Sequence, residues 1–337
     1  MSERTVFVLG GARSGTTWIA KILDSHPDVL YRHEPDIDLQ DYSFPTLCET
    51  EEIPRYQATA SRYLERLIDA RSLRTAGGLP VFPKSFHGAL APALRRAFLL
   101  GLRAMEEVRP LRPFAGGVQI PDFVDIRRRP ELRLVMKSVS ALGRAGLFAA
   151  AMPRSRFVLI LRHPCGQVAS LLRGRALGKF EGSLGTGGSA MASTGRRYGL
   201  TPEILAALSP AEQHAWDWAI MNEFAMDQLR DAAHFKVIRY EDFCADPEMQ
   251  ARELLHFAQL APNPQTDQFV RDSTSYSGVD RYYQIFKNTN ESAIRWKKEL
   301  DADVQESIMR IVRQTRMGAM FSDIGETVRS GVPQPGF

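Results

Sequence analysis

The hydrophobic pattern of the chain predicts four short strands, each followed by a segment with helical character. The first apolar run begins at Thr5, and the three others cover Leu132 to Met136, Phe157 to Leu161 and Phe235 to Ile238. The spacing of apolar residues predicts helices over 16–25, 56–74, 88–107, 140–151, 164–175, 209–231, 247–258 and 302–315. Strands that alternate with helices are typical of βα units. We therefore expect an α/β fold with a central parallel sheet flanked by helices.

The predicted strands extend from residue 5 to residue 238, and no point along the chain suggests a division into two domains. We expect a single domain over residues 1–337 with insertions near 36–130. Residues 176–199 contain the run Gly-Ser-Leu-Gly-Thr-Gly-Gly-Ser, and the segment is long for a connection inside a compact domain. We expect a flexible loop there.

The charge and the cysteine content of the chain limit the classes of function that it can have. The formal net charge of +4 is not concentrated in a polybasic tail, which favours an anionic small ligand over nucleic acid. The cysteines, Cys48, Cys165 and Cys244, have neither zinc-ligand nor disulfide spacing. The chain begins without a signal segment, and no apolar run approaches the roughly 20 residues that cross a bilayer. We expect a cytoplasmic protein without a membrane span.

A glycine-rich loop follows the first predicted strand. Gly10 and Gly15 keep the spacing of a nucleotide phosphate loop, but Thr16 stands where that loop has lysine. The loop offers backbone amides and hydroxyl groups that can bind an anion, and Arg13 supplies a positive charge. The alternative is an ordinary turn in which Ser14 or Thr16 caps the next helix. We expect the loop to hold an anion other than the β/γ-phosphates of a nucleoside triphosphate.

The ends of the other predicted strands also carry cations and hydroxyls. Lys137 and Ser138 follow the second strand, Arg162 follows the third, and Arg239 and Tyr240 follow the fourth. Ligands of open parallel sheets bind beyond the carboxyl ends of the strands, so these residues should share one edge. An NTPase needs a carboxylate there to help hold Mg²⁺, but the second and third strands end in cations. The pattern favours an anion pocket without a metal.

At these positions the sequence resembles the sulfotransferases that use 3′-phosphoadenosine-5′-phosphosulfate (PAPS). Residues 11–18, Gly-Ala-Arg-Ser-Gly-Thr-Thr-Trp, resemble the family's 5′-phosphosulfate loop. Residues 156–170 resemble its 3′-phosphate segment, in which a strand ends in Arg162 and Ser170 follows on the next helix. Shorter matches are Ser25 to Val29 with Glu34-Pro35, Val237 to Phe243, and Arg295-Trp296-Lys297.

The resemblance implies a P-loop-like fold and an enzyme that moves a sulfuryl group from PAPS to an acceptor hydroxyl. The second product is then 3′-phosphoadenosine-5′-phosphate (PAP). It implies that Arg162 and Ser170 hold the 3′-phosphate and that Lys137 stabilises the bridging oxygen or the sulfonate. The other residues expected to contact the donor are Arg13, Ser14, Gly15, Thr16, Thr17, Trp18, Tyr240, Trp296 and Lys297. Trp18 is also expected to pack beneath the loop, and Trp296 with Lys297 could instead begin a C-terminal helix.

The Glu34-Pro35 element is similar to the carbohydrate and tyrosylprotein branches of the family, where a glutamate in this neighbourhood is the catalytic base. Glu34 is therefore the expected base, with His33 and His87 as alternatives, and Arg13, Glu34 and Lys137 are the catalytic candidates. A carbohydrate hydroxyl is the first expectation for the acceptor, while a peptidyl tyrosine, a lipid or a natural product stays open. Without the membrane anchor of the Golgi enzymes, we expect a bacterial protein.

Two other functions stay open at this point. A P-loop-type small-molecule kinase would need a lysine in the loop and a carboxylate for the metal, and neither is evident in the sequence. A non-catalytic nucleotide-binding protein would keep the anion loop but would lack turnover. Glu34 and Lys137 argue modestly against this second alternative.

Overall fold

The computed structural model describes residues 1–88, 90–178, 187–275 and 289–321, without the side chains of 187, 188, 289 and 290. The chain divides into two compact units. The first unit comprises Met1–Arg162 and Ala225–Ala293, and the second comprises His163–Phe224 and Ile294–Phe337. The expectation of a single domain stays a prediction.

The first unit contains a parallel sheet, so the α/β prediction is confirmed. The five strands of the described chain are β1 (Thr5–Leu9), β2 (Val29–His33), β3 (Arg133–Ser138), β4 (Arg156–Leu161) and β5 (Phe235–Arg239). Their order in the sheet is β2-β3-β1-β4-β5, and every neighbouring pair is parallel. Strands β1 and β4 are neighbours, but the connections that follow them run in opposite directions: the chain continues from β1 to β2 at one edge of the sheet and from β4 to β5 at the other edge. The crevice at this switch point, beyond the carboxyl ends of β1 and β4, is where such sheets bind ligands.

Strand β2 is the strand that the hydrophobic pattern missed. Its sequence, Val-Leu-Tyr-Arg-His, includes Arg32, and a charged residue interrupts the apolar run. The Arg32 side chain is only 1% exposed, and its guanidinium forms a two-pronged ion pair with Asp122. Because Asp122 compensates the buried charge, Arg32 can lie within a sheet.

The helices surround this sheet or build the second unit. They are α1 (Thr16–Ser25), α2 (Pro35–Asp38), α3 (Ile53–Ile68), α4 (Leu73–Ala76), α5 (Ala91–Glu107), α6 (Arg112–Gly117), α7 (Ala145–Ala151), α8 (Pro164–Ala176), α9 (Gly187–Met191), α10 (Ser193–Arg197), α11 (Pro202–Ala207), α12 (Pro210–Leu229), α13 (Tyr240–Ala245), α14 (Pro247–Phe257), α15 (Pro264–Thr274), α16 (Thr289–Ile294), α17 (Trp296–Glu299) and α18 (Ala302–Arg313). Short 3₁₀ helices cover Ser2–Arg4, Thr50–Glu52, Ile126–Arg128, Leu142–Arg144 and Arg316–Met320. Along the described ranges, no helix has both the length and the apolar character that crossing a membrane requires.

Two predicted segments differ in detail from the structure. The helix expected over 56–74 ends at Ile68, and a separate helix, α4, follows; it begins after Ser72, whose hydroxyl accepts a hydrogen bond from the Thr75 N–H. Within the expected loop 176–199, the described residues form α9 and α10, and residues 179–186 lie outside the described residues.

A hydrophobic core beneath the sheet holds α1 in place. Trp18 is 2% exposed, and its indole N–H donates to the Ser273 hydroxyl at 3.0 Å. Its ring also packs edge-on against Tyr240 and Phe243, with ring centroids 6.1 Å and 5.3 Å away. These contacts join α1 to α13 and α15, and they fix the position of the loop that precedes α1.

Candidate active site

The loop between β1 and α1 has a backbone that requires glycine. Gly15 is the N-cap of α1 and adopts a left-handed conformation with φ of 95°. A Cβ atom there would lie 2.4 Å from Cδ2 of Tyr240, so a larger residue would collide with a buried ring. No side chain caps α1, and the alternative in which Ser14 or Thr16 caps it is therefore wrong. The first amides of the helix are left to face an anion.

Ser14 adds a polar group to this loop. The residue is fully buried, and its hydroxyl has no hydrogen-bond partner among the described residues. Buried polar atoms in folded proteins are nearly always hydrogen-bonded, so an orphaned hydroxyl marks a place where a ligand can complete the bonding. Thr16 is likewise buried, and Thr17 is partly exposed. The loop therefore fits an anionic oxygen such as that of a phosphate.

Lys137 and Glu34 form an ion pair at the carboxyl ends of β3 and β2. The parallel register sets His33 opposite Lys137, which brings the next residue, Glu34, to the lysine. Nζ of Lys137 donates to Oε1 of Glu34, and the Glu34 N–H donates to the Lys137 carbonyl at 2.7 Å. The Lys137 side chain is 2% exposed and that of Glu34 is 13% exposed. Glu34 has φ of 48°, a strained value for a residue with a side chain.

Burial opposes the charge of both members of this pair, but the balance against the neighbouring charges differs. Burial opposes the charge of Glu34, but the charge and hydrogen bond of Lys137, with smaller contributions from His33 and Arg74, outweigh it and hold the pKa of the carboxyl below its ordinary value. Burial is the largest effect on Lys137 and lowers the pKa of its ammonium, although Glu34 and Asp36 oppose this. The difference follows from the deeper burial of the lysine. The charge of Arg13 also acts on Lys137, so the loop and the ion pair share one electrostatic environment.

The two histidine alternatives occupy different positions. His33 accepts or donates a hydrogen bond with the Tyr31 hydroxyl at 3.0 Å through Nδ1. Burial, followed by the charge of Lys137, lowers the pKa of His33 to about 3, so the ring is neutral at pH 7. His87 bonds to the Asp122 carbonyl at 3.1 Å and packs against Phe123. No contact described in the structure brings His87 to Glu34 or Lys137.

Arg162, at the end of β4, is joined to the loop. Its guanidinium donates to the Arg13 carbonyl at 3.1 Å and to the Ser292 carbonyl at 2.9 Å. It also lies 4.9 Å from the centroid of the Tyr240 ring, within cation–π range. Tyr240 is fully buried and lies beneath Gly15. The structure therefore places Arg162 and Tyr240 beside the predicted 5′-phosphate loop.

The other predicted donor contacts belong to the second unit. Ser170 is 2% exposed on α8. The Trp296 ring stacks on His163 with centroids 4.3 Å apart, and Nζ of Lys297 lies 5.7 Å from the Trp296 ring centroid. Trp296 begins α17, as the alternative to a cofactor contact predicted. The joint binding of a 3′-phosphate by Arg162 and Ser170 stays a prediction.

Two residues near Glu34 were not identified from the sequence. Asp36 is 6% exposed and accepts hydrogen bonds from the hydroxyls of Ser138 and Ser140 at 2.6 Å and 2.7 Å. Arg74, on α4, lies 4.0 Å from Oε2 of Glu34. The position of Asp36 two residues after Glu34 was a usable signal, whereas nothing local points to Arg74. Within the ranges that the structure describes, no cluster of three His, Cys, Asp or Glu residues could hold a metal.

Comparisons with known proteins identify similar sequences and structures among the sulfotransferases. The sequence model of the Sulfotransferase family matches residues 5–264. Mouse carbohydrate sulfotransferase 5 is 26% identical over 317 residues, which cover 87% of this chain and 74% of that protein. The solved sulfotransferase domain from the curacin biosynthetic pathway shares 15% identity, with a TM-score of 0.44 and coverage of 92% of this chain and 96% of that one. Mouse sulfotransferase SULT7A1 complexed with PAP shares 10% identity, with a TM-score of 0.44 and coverage of 97% and 88%. Because the family model matches most of the chain, including the loop and all five strands, the chain belongs to the sulfotransferase family.

Proposed function

We propose that this sulfotransferase moves the sulfuryl group of PAPS to an acceptor hydroxyl by in-line displacement, with Glu34 as the general base. The observation that carries the proposal is the position of the Glu34–Lys137 pair. It lies at the strand ends next to the loop, and Arg13 acts electrostatically on its lysine. Anion loop, buried cation and carboxylate are the groups that this reaction needs.

The donor supplies a sulfuryl group attached to a phosphate that leaves with negative charge. In our proposal the amides of Gly15, Thr16 and Thr17 and the Ser14 hydroxyl hold the 5′-phosphate. Arg13 adds a positive charge to this loop. The orphaned hydroxyl of Ser14 and the uncapped start of α1 support this assignment. Because the loop is preorganised, little reorganisation is needed as charge grows on the bridging oxygen.

Glu34 has one carboxylate oxygen engaged and one available. Oε1 binds Lys137, while Oε2 lies 3.9 Å from Nε2 of His33 and 4.0 Å from Arg74, beyond hydrogen-bonding distance. We assign Oε2 as the atom that takes the proton of the acceptor hydroxyl. The acceptor oxygen then bonds to sulfur, the bond from sulfur to the bridging oxygen breaks, and its electron pair stays on that oxygen near Lys137.

Arg162 and Ser170 are proposed to hold the 3′-phosphate, and Trp18, Tyr240, Trp296 and Lys297 to support or contact the donor. A carbohydrate hydroxyl is the proposed acceptor. It is supported by the likeness to mouse carbohydrate sulfotransferase 5 and by the Glu34-Pro35 element. A bacterial source and a cytoplasmic location stay predictions from the sequence.

A ligand-induced shift in melting temperature tests the donor. PAP should stabilise the protein more than ADP or Mg²⁺-ATP, because only PAP carries the 3′-phosphate, and Arg162→Ala should abolish the difference. Arg128→Ala is the matched control, since the Arg128 side chain is 87% exposed and pairs only with the nearby Asp125 among described residues. Equal or greater stabilisation by Mg²⁺-ATP would contradict the proposal and favour the kinase alternative.

A further inference from the structure

A surface cavity of about 780 Å³ lies beside α5, and we call it the α5 cavity. Its apolar walls come from the start of α5, from the segment before it and from the segment before β3, and they include Phe86, Leu90, Leu94, Phe98 and Phe123. Leu90, Leu94 and Phe123 are 76%, 68% and 68% exposed. Cavities of roughly 300–1,000 Å³ with apolar walls are typical binding sites for small molecules. The α5 cavity therefore has the size and the surface to take an apolar ligand.

Two titratable residues also line the cavity, and both direct their polar atoms into the protein. Nε2 of His87 lies 3.1 Å from the Asp122 carbonyl, and because a carbonyl only accepts, Nε2 is the donor. Nδ1 of His87 is buried and has no partner among the described residues. The guanidinium of Arg95 donates to the carbonyls of Pro121 and Ala76 at 2.6 Å and 2.9 Å. Ring carbons and the arginine stem are left for the cavity, which suits an uncharged alkyl chain better than an anion.

Phe123 is held in the cavity wall by a strained backbone. Its φ of 60° is in the left-handed region, which is rare for a bulky residue, and yet its side chain is mostly exposed. Arg95 and His87 bind the carbonyls of the two preceding residues and so fix this turn. Strain of this kind persists where the surroundings enforce it, and it is concentrated at functional sites. Packing within the protein does not account for a ring that is mostly exposed.

Contacts join the cavity to the surroundings of the proposed base, all within the first unit. Asp122 directly precedes Phe123 and forms the ion pair with Arg32 of β2. Arg32 comes two residues before Glu34, roughly 7 Å along an extended chain. On the other wall, Arg95 binds the last carbonyl of α4, the helix whose Arg74 lies 4.0 Å from Oε2 of Glu34. The cavity is therefore built on the same elements that position the base.

We propose that the α5 cavity holds an alkyl chain of the acceptor, so that the acceptor is an amphiphile whose sugar hydroxyl reacts at Glu34. The inference rests on the proposed function and narrows its acceptor class. An alkyl chain would cover apolar side chains that water otherwise contacts, which favours binding in proportion to the area removed from water. A second copy of the protein is the competing occupant. A stable dimer needs a broad surface of roughly 800 Å² on each partner, whereas this site is concave.

Calorimetry of alkyl β-D-glucosides at saturating PAP tests the cavity, with chains from methyl to octyl. Affinity should rise by up to about fourfold for each methylene that enters. Leu94→Ser should lower the affinity for octyl glucoside about tenfold, with PAP affinity as the check on folding. Leu100→Ser is the matched control and should bind as the wild type does. Leu100 lies on the same helix and is 46% exposed, but it is outside the cavity.

Phe123→Gly separates ligand binding from packing. Glycine adopts a positive φ without strain, so this variant should melt no lower than the wild type while its affinity for octyl glucoside falls about tenfold. Gln259→Gly is the control, because the exposed Gln259 has a similar φ of 55° and lies outside the cavity. It should keep the wild-type affinity for octyl glucoside. A Phe123→Gly variant that melts lower and binds octyl glucoside like the wild type would give the ring a packing role and overturn the inference.

Turnover connects the cavity to the acceptor. With PAPS, the wild type should sulfate octyl glucoside with a kcat/KM at least tenfold above that for methyl glucoside, and Leu94→Ser should narrow this ratio through KM. Equal kcat/KM for the two glucosides would overturn the inference. If neither glucoside is sulfated, the binding series decides, and an affinity that does not depend on chain length counts against the cavity.

Two further outcomes are distinguishable. A wild type that binds no alkyl glucoside and is dimeric, beside a monomeric Leu94→Ser, would assign the cavity to a second copy and overturn the inference. Failure of the wild type to bind PAP would instead overturn the proposed function on which the inference rests.

Discussion

Replacing Gly15 by alanine should damage both the fold and the anion loop. In the left-handed conformation of Gly15, a residue with a Cβ costs roughly 1–2 kcal/mol. The new methyl group would also lie 2.4 Å and 2.7 Å from two ring atoms of Tyr240, which is fully buried against Trp18. Overpacking of this kind costs about 1–3 kcal/mol. Together the two effects predict a loss of about 2–5 kcal/mol in the free energy of unfolding.

The assay is urea denaturation of Gly15→Ala beside Gly101→Ala, combined with the PAP-induced shift in melting temperature. Gly101 lies on the exposed side of α5, and a Cβ there would have no heavy atom within 4 Å apart from its chain neighbours and the backbone of its own helix. Alanine in a helix interior is favoured over glycine, so this control should gain about 0.5–1 kcal/mol. Gly15→Ala should lose stability and most of its response to PAP. Wild-type stability and PAP response in Gly15→Ala would refute the role assigned to the loop.

The remaining predictions concern the Glu34–Lys137 pair. Glu34→Gln should lower kcat by about 10²–10⁴-fold with little change in PAP affinity, whereas His33→Gln should keep most activity; the opposite ranking would make His33 the base. Lys137→Met should cost about 3–5 kcal/mol in urea denaturation because it leaves a buried carboxylate unpaired, and adding Glu34→Gln should recover part of the loss. The folded-state pKa of Glu34 lies below its ordinary value of 4.5, so its contribution to stability is present above that pH and is lost as the pH falls through the folded pKa. Acid denaturation curves should therefore show a smaller loss for Glu34→Gln than for the wild type below about pH 4.5, and parallel curves would contradict the pKa assignment.

Strands that are buried on both faces were predictable from the sequence. The runs of β1, β3 and β4 are nearly continuous in apolar residues, as expected where helices cover both faces of a parallel sheet. The edge strand β5 is mostly half-buried, but its short apolar run was also sufficient to predict it. Strand β2 was missed because Arg32 interrupts its apolar run. In the folded protein Asp122, 90 residues away along the chain, neutralises that charge. Sequence spacing cannot show that such a partner is present.

The sequence predicted which strand ends form the candidate site, but it did not predict the contacts between their side chains. The loop and Lys137 follow apolar runs, so the rule for ligand sites in parallel sheets located them. The ion pair between Lys137 and Glu34 depends on the β2–β3 register, which sets His33 beside the lysine. Asp36 was overlooked for a related reason: its serine partners come from β3 and the turn after it, about 100 residues later.

A crystal structure of the PAP complex tests the central claim most directly. The account predicts that the 5′-phosphate binds to the amides of Gly15, Thr16 and Thr17, with Nζ of Lys137 about 3 Å from one of its oxygens. It also predicts that Arg162 contacts the 3′-phosphate. A 5′-phosphate bound away from the loop, or a Lys137 ammonium that stays out of reach of it, would contradict the account.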